Sequence, residues 1–426
     1  AAGGVTTTWQ DSIGRVIQQT DSAGVDTIFS YNSRGFLDEV ANNDAAITYA
    51  WDEYGRLVSE STTLVSGETT TINVGRDGYG RTNQVGVDTA GSVTQQAFVF
   101  DDAGEVSHVD VIHGGRELAH VALGMDAAGR RDQLIVGSVV RQFGFDECGR
   151  MVNDVVSSLS EHDAQNKSLS MVAGRAWAWR ADNTVSVVND VLAGVARFDV
   201  DVLGRVTGVT RDKSTVAGQV GNAAAGSNNF DVSAESYGYS AAGMLTSIAA
   251  PKLGAQDTVG GVALARSARS AQSSQTAQSI GVETRGTLVT RVGKTSYTYD
   301  KLGRVTETVT RRSSLKPLVK RFEYAGSTGQ VTGFSSSDAP HVRWVYSYDG
   351  VGRRVAKTCL STDTNEVLLR QVFAYVGNDL VAEHTTAGDT GAGVVGRVGV
   401  QDPGTGELIG QINLTTNNND AAGVSG

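Results

Sequence analysis

Short runs of alternating apolar and polar residues, separated by turns, make up most of the chain, and the stretch Tyr297 to Val305 shows the pattern most clearly. Tyr297 and Tyr299 are two residues apart, so both side chains lie on one face of a β-strand. Asp300 can accept a hydrogen bond from a backbone N–H two residues on, and Gly303 stands where a tight turn needs a positive φ. The stretch therefore predicts a β-hairpin, with a strand, a turn and a return strand.

The same order of residue types recurs along the chain: aromatic, any residue, aromatic, Asp, two variable positions, Gly and Arg. There are about fifteen copies, mostly ~20–25 residues apart, a spacing typical of repeat architectures. No interval between copies shows helical periodicity over the length that a helix requires. The sequence predicts an all-β fold in which tandem hairpins form one long, twisted, spiralling sheet. The clearest motif residues are Tyr49, Trp51, Asp52, Gly55, Arg56, Phe98, Phe100, Asp101, Gly104, Phe143, Phe145, Asp146, Gly149, Arg150, Asp201, Gly204, Arg205, Tyr297, Tyr299, Asp300, Gly303, Arg304, Tyr346, Tyr348, Asp349, Gly352 and Arg353.

The repeat array has predicted limits and two interruptions. We expect residues 1–383 to form the array, with loop insertions near 213–236 and 252–279, where small polar residues replace the strand alternation. Residues 384–426 diverge from the repeat, and we expect this segment to be partly disordered because it ends in a stretch rich in Asn, Gly and Ser. Glycine is abundant and proline scarce, with 52 and 4 residues, which suits many tight turns in an uninterrupted sheet.

Charge and hydropathy argue against two classes of partner. The formal net charge is −10, and Lys and Arg do not cluster, whereas nucleic acids require a basic surface. The same balance argues against binding to an anionic membrane surface. No run of about 18 apolar residues is present, so no membrane-spanning segment is predicted. No signal peptide is visible, and we expect any targeting signal to lie outside this sequence.

The sequence contains few residue patterns that are typical of catalytic or ligand-binding sites. Each motif Asp already has a place in its turn, so a structural carboxylate is the favoured interpretation. His108, Asp110 and His113 are close in sequence. A surface pair on a strand is favoured there over a metal site, because neither cysteine completes a zinc pattern. We predict no catalytic, metal-binding or cofactor-binding residue and no enzyme activity.

The aromatic and arginine positions are expected to stabilise the sheet. The Arg after each Gly can reach the Asp of its own or the next hairpin, and a cross-strand pair of this kind contributes ~0.2–1 kcal/mol. Each aromatic ring buries ~150–250 Å². Packing is therefore favoured over the alternative that exposed rings stack on sugars. We expect most rings to be buried, with those around Trp177 and Tyr237 the most exposed.

The unit from Tyr297 to Val305, with its relatives at Asp52, Asp146 and Asp349, resembles the YD repeat of the RHS-repeat family. The resemblance covers nearly the whole chain up to Glu383. Members of this family include bacterial polymorphic toxins, the C components of insecticidal toxin complexes, and teneurins. In such proteins the repeats form a β-sheet that spirals into a hollow shell. That shell encloses a C-terminal effector in the toxins and serves cell adhesion in teneurins.

The resemblance implies a structural, non-enzymatic role as part of an RHS-type shell that encapsulates or presents a C-terminal toxin cargo. It implies a secreted or cell-surface bacterial protein whose partners are that cargo or other parts of a larger shell, with no cofactor. The alternative is an extracellular module for adhesion or carbohydrate binding, with glycans or cell-surface proteins as partners. Residues 402–406 are only faintly similar to the core segment that follows the repeats in bacterial members and self-cleaves in some, so Asp402 is assigned no catalytic role.

Overall fold

The computed structural model describes residues 4–22, 24, 26–89, 92–159, 169–212, 233–250, 278–388, 395–401 and 408–415. Within these ranges every regular element is a β-strand, and they contain no helix that could cross a membrane. The strands form one 32-stranded antiparallel sheet. The all-β fold of tandem hairpins predicted from the motif is confirmed. Both predicted loop insertions fall almost entirely outside the described residues, as does Asp402.

Consecutive strands pair with one another. The chain divides into two compact units: the first contains Ala1–Leu123 and Tyr297–Gly426, and the second contains Gly124–Ser296. In chain order the strands are β1 (Thr6–Gln10), β2 (Val16–Asp21), β3 (Asp26–Tyr31), β4 (Leu37–Ala41), β5 (Ala45–Trp51), β6 (Leu57–Leu64), β7 (Thr69–Arg76), β8 (Thr82–Thr89), β9 (Ser92–Phe100), β10 (Val106–His113), β11 (Arg116–Met125), β12 (Arg131–Val136), β13 (Val139–Phe145), β14 (Met151–Leu159), β15 (Leu169–Trp179), β16 (Val185–Asp190), β17 (Gly194–Val200), β18 (Val206–Asp212), β19 (Ser233–Tyr239), β20 (Leu245–Ala250), β21 (Gln278–Arg285), β22 (Leu288–Val292), β23 (Thr295–Tyr299), β24 (Val305–Thr310), β25 (Leu318–Tyr324), β26 (Val331–Ser336), β27 (Val342–Tyr348), β28 (Arg354–Ser361), β29 (Val367–Val376), β30 (Asp379–Ala387), β31 (Val395–Gln401) and β32 (Leu408–Thr415).

The motif closes each hairpin with the same backbone turn, as the copy between β7 and β8 illustrates. The N–H of Asp77 donates to the carbonyl of Arg81 at 3.0 Å, and the N–H of Gly80 donates to the carbonyl of Asp77 at 2.9 Å. Gly80 has a φ of +84°, which glycine adopts without a Cβ penalty. The strand register shifts between Gly75 and Arg76. Such a β-bulge bends the strand and increases its local twist.

In the first unit, the early and late strands share a hydrophobic core. Ile47 of β5 is fully buried, whereas its neighbour Thr48 is exposed, as expected for a strand with one covered face. A Cβ added at Gly350 would lie 2.4 Å from Cγ1 of Val40, so the turn after β27 approaches β4 more closely than a larger residue allows. One buried cluster joins strands from both ends of the chain and contains Ala45, Leu64, Val355, Ala356 and Val372.

Most polar contacts between the early and late strands of the first unit join positions that are separated by 302–306 residues, whereas Arg353 and Glu60 are separated by 293. For example, the N–H of Tyr348 donates to Oδ2 of Asp44 at 2.9 Å. The nearly constant separation means that the early and late strands advance past each other in step, one repeat at a time. The contacting pairs, with the sequence separation of each, are Asp21 with Ser327 (306), Asn42 with Tyr348 (306), Asp44 with Tyr348 (304), Glu68 with Arg370 (302) and Gln96 with Gly399 (303).

The second unit consists of hairpins from β12 to β22, each strand pairing with the next. Most side chains of its strands are half-buried rather than buried. Side chains of neighbouring strands therefore account for much of the shielding of each side chain from solvent. Its buried apolar side chains are Leu134, Val140, Ala196 and Val209 among the described residues.

Two glycines of motif turns test whether the positive φ fixes the hairpin. Gly129→Ala should lower the free energy of unfolding by ~1–2 kcal/mol, because an L-residue is forced into the left-handed region at a φ of +74°, while the added Cβ meets no atom within 4 Å. Gly78→Ala is the matched control, since its φ is not positive and a Cβ there would also meet no atom within 4 Å. This control should change stability by no more than ~1 kcal/mol, in the stabilising direction. Equal urea midpoints for the two variants would contradict the assignment.

Candidate functional site

The structure places the motif residues at the end of one strand, in the following turn and at the start of the return strand. The paired aromatics of the clearest copies lie at the ends of β5, β9, β13, β23 and β27, two residues apart on one face. The motif glycines all have a positive φ, at Gly55 (+79°), Gly104 (+86°), Gly149 (+79°), Gly204 (+75°), Gly303 (+81°) and Gly352 (+94°).

The motif carboxylate closes the turn through three hydrogen bonds. Oδ1 of Asp52 accepts the N–H groups of Tyr54 at 2.9 Å and Arg56 at 2.8 Å, and Oδ2 accepts Nε of Arg56 at 2.7 Å. The backbone N–H of Arg56, and then its guanidinium, lower the pKa of Asp52 below its ordinary value. The carboxylate is therefore an ionised acceptor. The same three bonds occur at Asp11, Asp77, Asp126, Asp146, Asp201, Asp300 and Asp349.

The motif arginine extends from its own turn to the next motif copy. The guanidinium carbon of Arg304 lies 4.7 Å from the ring centroid of Tyr324, and Nη1 donates to the carbonyl of Gly326 at 2.8 Å. A cation over an aromatic face contributes ~0.5–1 kcal/mol at exposed sites. The same stacking joins Arg15 to Tyr31 (4.4 Å), Arg81 to Phe100 (4.0 Å), Arg130 to Phe145 (4.7 Å), Arg150 to Trp179 (5.6 Å), Arg205 to Tyr239 (4.7 Å) and Arg353 to Tyr375 (5.4 Å).

In several copies the second aromatic is a Tyr or Trp that also donates a hydrogen bond back to the previous repeat. The hydroxyl of Tyr324 donates to the carbonyl of Val305, the residue after Arg304, at 2.7 Å. We call the Asp and Arg of one copy, together with the second aromatic of the next, the inter-repeat clamp. It joins adjacent repeats through side chains in addition to the backbone ladder. Equivalent bonds run from Tyr31 to Val16, Trp51 to Leu37, Trp179 to Met151, Tyr239 to Val206, Tyr348 to Val331 and Tyr375 to Arg354.

The aromatic rings are covered less completely than expected. Phe98 and Phe373 are buried, but most motif rings are half-buried. The half-buried rings include the pair at positions 297 and 299 and the pair at positions 346 and 348. The rings of Trp177 and Tyr237 are also half-buried. Among the described motif rings, that of Trp9 is instead the most exposed, at 44%, so the expectation that the central rings are the most exposed is wrong. The less regular central copies keep the inter-repeat clamp, because Trp179 and its counterpart at 239 retain both the stacked arginine and the carbonyl contact.

One inter-repeat clamp is buried and includes a carboxylate from a distant repeat. Nε of Arg353 lies 2.7 Å from Oδ2 of Asp349, and Nη2 lies 2.6 Å from Oε1 of Glu60, 293 residues away in sequence. The three side chains are 7%, 0% and 6% exposed, whereas those of Arg56 and Asp52 are 37% and 20% exposed. Burial raises the pKa of Glu60, and the guanidinium opposes that rise. We call Glu60, Asp349 and Arg353 the buried triad.

A second polar cluster joins β10 to β11. Oδ1 of Asp110 lies 2.7 Å from Nδ1 of His120, and Oδ2 lies 3.7 Å from Nε2 of His108. His113, grouped with this cluster in the sequence, instead contacts Oγ1 of Thr94 at 2.8 Å. The residue that sequence reasoning missed is His120, which stands directly opposite Asp110 across the strand pair. Only the hairpin register could have identified it.

No protein-family model and no curated protein matches this chain. Several solved structures do. "TcdB2-TccC3-TEV" matches 98% of this chain with a TM-score of 0.58 and 13% identity. "TcdB2-TccC3 without hypervariable C-terminal region" matches 96% with a TM-score of 0.58 and 13% identity. A Tc holotoxin pore of Photorhabdus luminescens, with a mutated TccC3, matches 96% with a TM-score of 0.54 and 12% identity.

The chain covers 21–23% of the length of these solved chains. At such low identity the likeness establishes the fold alone. The resemblance of the motif to the repeats of toxin-complex proteins is confirmed at that level, since the all-β sheet is shared over nearly the whole chain.

Removing the arginine of the buried triad should destabilise the fold far more than removing the arginine of a more exposed motif copy. Arg353→Ala leaves two buried carboxylates without a partner and should lower the free energy of unfolding by ~3–5 kcal/mol. Arg56→Ala removes the same motif position from an exposed pair and should cost no more than ~1 kcal/mol. Urea unfolding of both variants measures the difference. Similar losses would show that burial of the triad does not set its contribution.

Acid should weaken the hairpin turns. Asp52, Asp77 and Asp126 have a folded pKa below the ordinary value of 3.8, so their contribution to stability is present above that pH and is lost as the pH falls through the folded pKa. The pKa of Glu60 is raised, so protonation of Glu60 at low pH favours the folded state and partly offsets this loss of stability. We expect the unfolding midpoint to fall steeply with pH below about 4. The pH-dependence is measured by urea unfolding across this range.

A variant with Asp52→Asn, Asp77→Asn and Asp126→Asn tests the origin of this acid sensitivity. It should have a shallower pH-dependence, because Asn keeps the Oδ1 acceptor but does not titrate. Asn32 already accepts the same two backbone N–H groups in its own turn. The control is Asp102→Asn, at an exposed variable position of a motif turn. An unchanged slope in the triple variant, or an equal effect of the control, would contradict the assignment.

Proposed function

We propose that this chain is a structural, non-enzymatic section of an RHS-type shell that encapsulates or presents a C-terminal toxin or effector. The proposal places the chain in a secreted or cell-surface bacterial protein. Its partners are that cargo and other parts of the larger shell. One of the similar structures is described as being without a hypervariable C-terminal region, and a variable region at that end is consistent with a constant shell joined to an exchangeable cargo.

The observation that carries the proposal is the nearly constant separation, 302–306 residues for most pairs, between contacting positions of the first unit. Late repeats that contact early repeats at regular spacing along the sheet are what a continuous shell wall requires. The inter-repeat clamps support the same role, because they join each repeat to the next along the sheet. The buried triad adds a contact that water does not reach, between β6 and the turn before β28.

The motif carboxylates support a non-enzymatic role. Each clamp Asp is held by two backbone N–H groups and an arginine. A carboxylate whose pKa is lowered in this way is ionised near neutral pH and is a poor proton donor, whereas a general acid or base works best with a pKa near the working pH. These residues therefore serve the turn, and we assign them no catalytic step.

Limited proteolysis tests the structural role of this section. We expect the strands of the 426-residue chain to resist trypsin, and Arg353→Ala to be cut at least tenfold faster because it opens the contact between early and late strands. Digestion of the unmodified chain as fast as that of Arg353→Ala would overturn the role of this contact in a continuous wall.

Exposed tyrosines favour a second candidate function, carbohydrate binding or adhesion. Tyr54 and Tyr79 occupy the same position in two neighbouring motif turns and are 74% and 89% exposed. Aromatic faces of this kind can stack on sugar rings. Specific binding on a glycan array that is lost in the Tyr54→Ala, Tyr79→Ala double variant would favour this function over the scaffold. Binding that the double variant retains would count against it.

A further inference from the structure

We infer that His108, Asp110 and His120 form a binding site for a divalent transition metal ion, with Zn²⁺ as the best match. Two imidazoles and one carboxylate are a ligand set that zinc binds in proteins, often with a fourth position left open to water. The three side chains project from one hairpin, β10 and β11. None of them takes part in an inter-repeat clamp or in the buried triad.

The backbone brings the three ligands together on one face. His108 and Asp110 are two residues apart on β10 and therefore point to the same side. His120 pairs directly with Asp110 across the ladder, while His108 pairs with Ala122. The imidazole rings of His108 and His120 are 4.7 Å apart between centroids. One potential ligand atom from each residue lies within 4.8 Å of the others.

The distances suit a bound ion after a small movement. Zinc lies 2.0–2.2 Å from nitrogen and oxygen ligands, so two ligand atoms at a tetrahedral angle are about 3.4 Å apart. Nε2 of His108 is 3.7 Å from Oδ2 of Asp110, close to that value. Nδ1 of His120 is 2.7 Å from Oδ1, which is a hydrogen bond. On metal binding, the proton of Nδ1 moves to Nε2 of this half-exposed ring, and Nδ1 then faces the ion.

Ser107 orients the ring of His108. Its hydroxyl donates to the carbonyl of Val99 at 3.1 Å and lies 3.1 Å from Nδ1 of His108. With its single proton committed to Val99, the hydroxyl is an acceptor for the N–H at Nδ1. Nε2 is then the ring nitrogen that faces the carboxylate of Asp110. Metal-bound histidines commonly donate their other N–H in this manner.

The carboxylate of Asp110 differs from those of the clamps in its partners. In each clamp copy the Asp is paired with an arginine four residues on, whereas the ion-pair partners of Asp110 among the described residues are the two histidines. On the other side of β10, Asp110 pairs with Ala97 and His108 with Val99. These neighbours carry no charge that would compete with a bound cation.

The ligand types select the metal class. Imidazole suits Zn²⁺, Cu²⁺, Ni²⁺ and Co²⁺, whereas Ca²⁺ and Mg²⁺ prefer oxygen ligands. A bound ion would join β10 to β11 side by side, so it would stabilise this hairpin. The fourth position would face solvent on the side of His120, which is the most exposed of the three side chains.

Calorimetric titration of the 426-residue chain, without any histidine tag, with ZnCl₂ tests the site. We expect one Zn²⁺ per chain, with affinity lowered at least tenfold in His120→Ala and in Asp110→Asn. Ser107→Ala should lower affinity about 10- to 100-fold by releasing the ring of His108. His113→Ala is the matched control from the same strand and should bind within twofold of the unmodified chain.

A second readout separates loss of the site from loss of the fold. Co²⁺ added in place of Zn²⁺ should give the visible absorption of a four-coordinate ion, and this band should disappear in His120→Ala while the thermal unfolding midpoint without metal stays unchanged. Absence of binding to the unmodified chain would overturn the inference. Binding that is unaffected by His120→Ala and Asp110→Asn would overturn it equally.

Discussion

The hydrogen bonds between the motif Asp and Arg are the interaction on which the rest of the architecture depends. The carboxylate fixes the turn by accepting two backbone N–H groups, and the ion pair fixes the arginine. Once held, that arginine lies over the second aromatic of the next copy, and the aromatic returns a hydrogen bond to the previous repeat. A local turn thus becomes a contact between repeats, and repetition of this contact gives a sheet that extends in one direction.

Burial changes the energetic weight of this one motif along the chain. Exposed copies such as Asp52 with Arg56 lie in a high dielectric, where an ion pair contributes little. The copy at Asp349 and Arg353 is removed from water and acquires a third charged partner, Glu60. One guanidinium there serves two carboxylates, so both must keep close contact with it, because an unpaired buried charge is costly. The same residues therefore shape a turn in one place and hold distant strands together in another.

Sequence reasoning reached the features that depend on neighbouring residues. The hairpins, the positive φ at Gly55 and Gly303, and the contact of Asp300 with its own turn all follow from a window of a few residues. It did not reach contacts set by strand register or by long-range packing. The sequence left open whether Arg304 pairs with the Asp of its own or of the next hairpin. It pairs with its own, Asp300, and lies over an aromatic ring of the next copy, Tyr324. Glu60 meets Arg353 across 293 residues, and His120 meets Asp110 only because of the register between β10 and β11.

A double-mutant cycle between neighbouring repeats tests the central claim most directly. Arg304→Ala, Tyr324→Leu and the double variant are compared by urea unfolding with the unmodified chain. The inter-repeat clamp predicts a coupling of ~0.5–1 kcal/mol or more, because each single change already removes the shared contact. Strictly additive losses would show that Arg304 and Tyr324 do not stabilise each other, and would contradict the account.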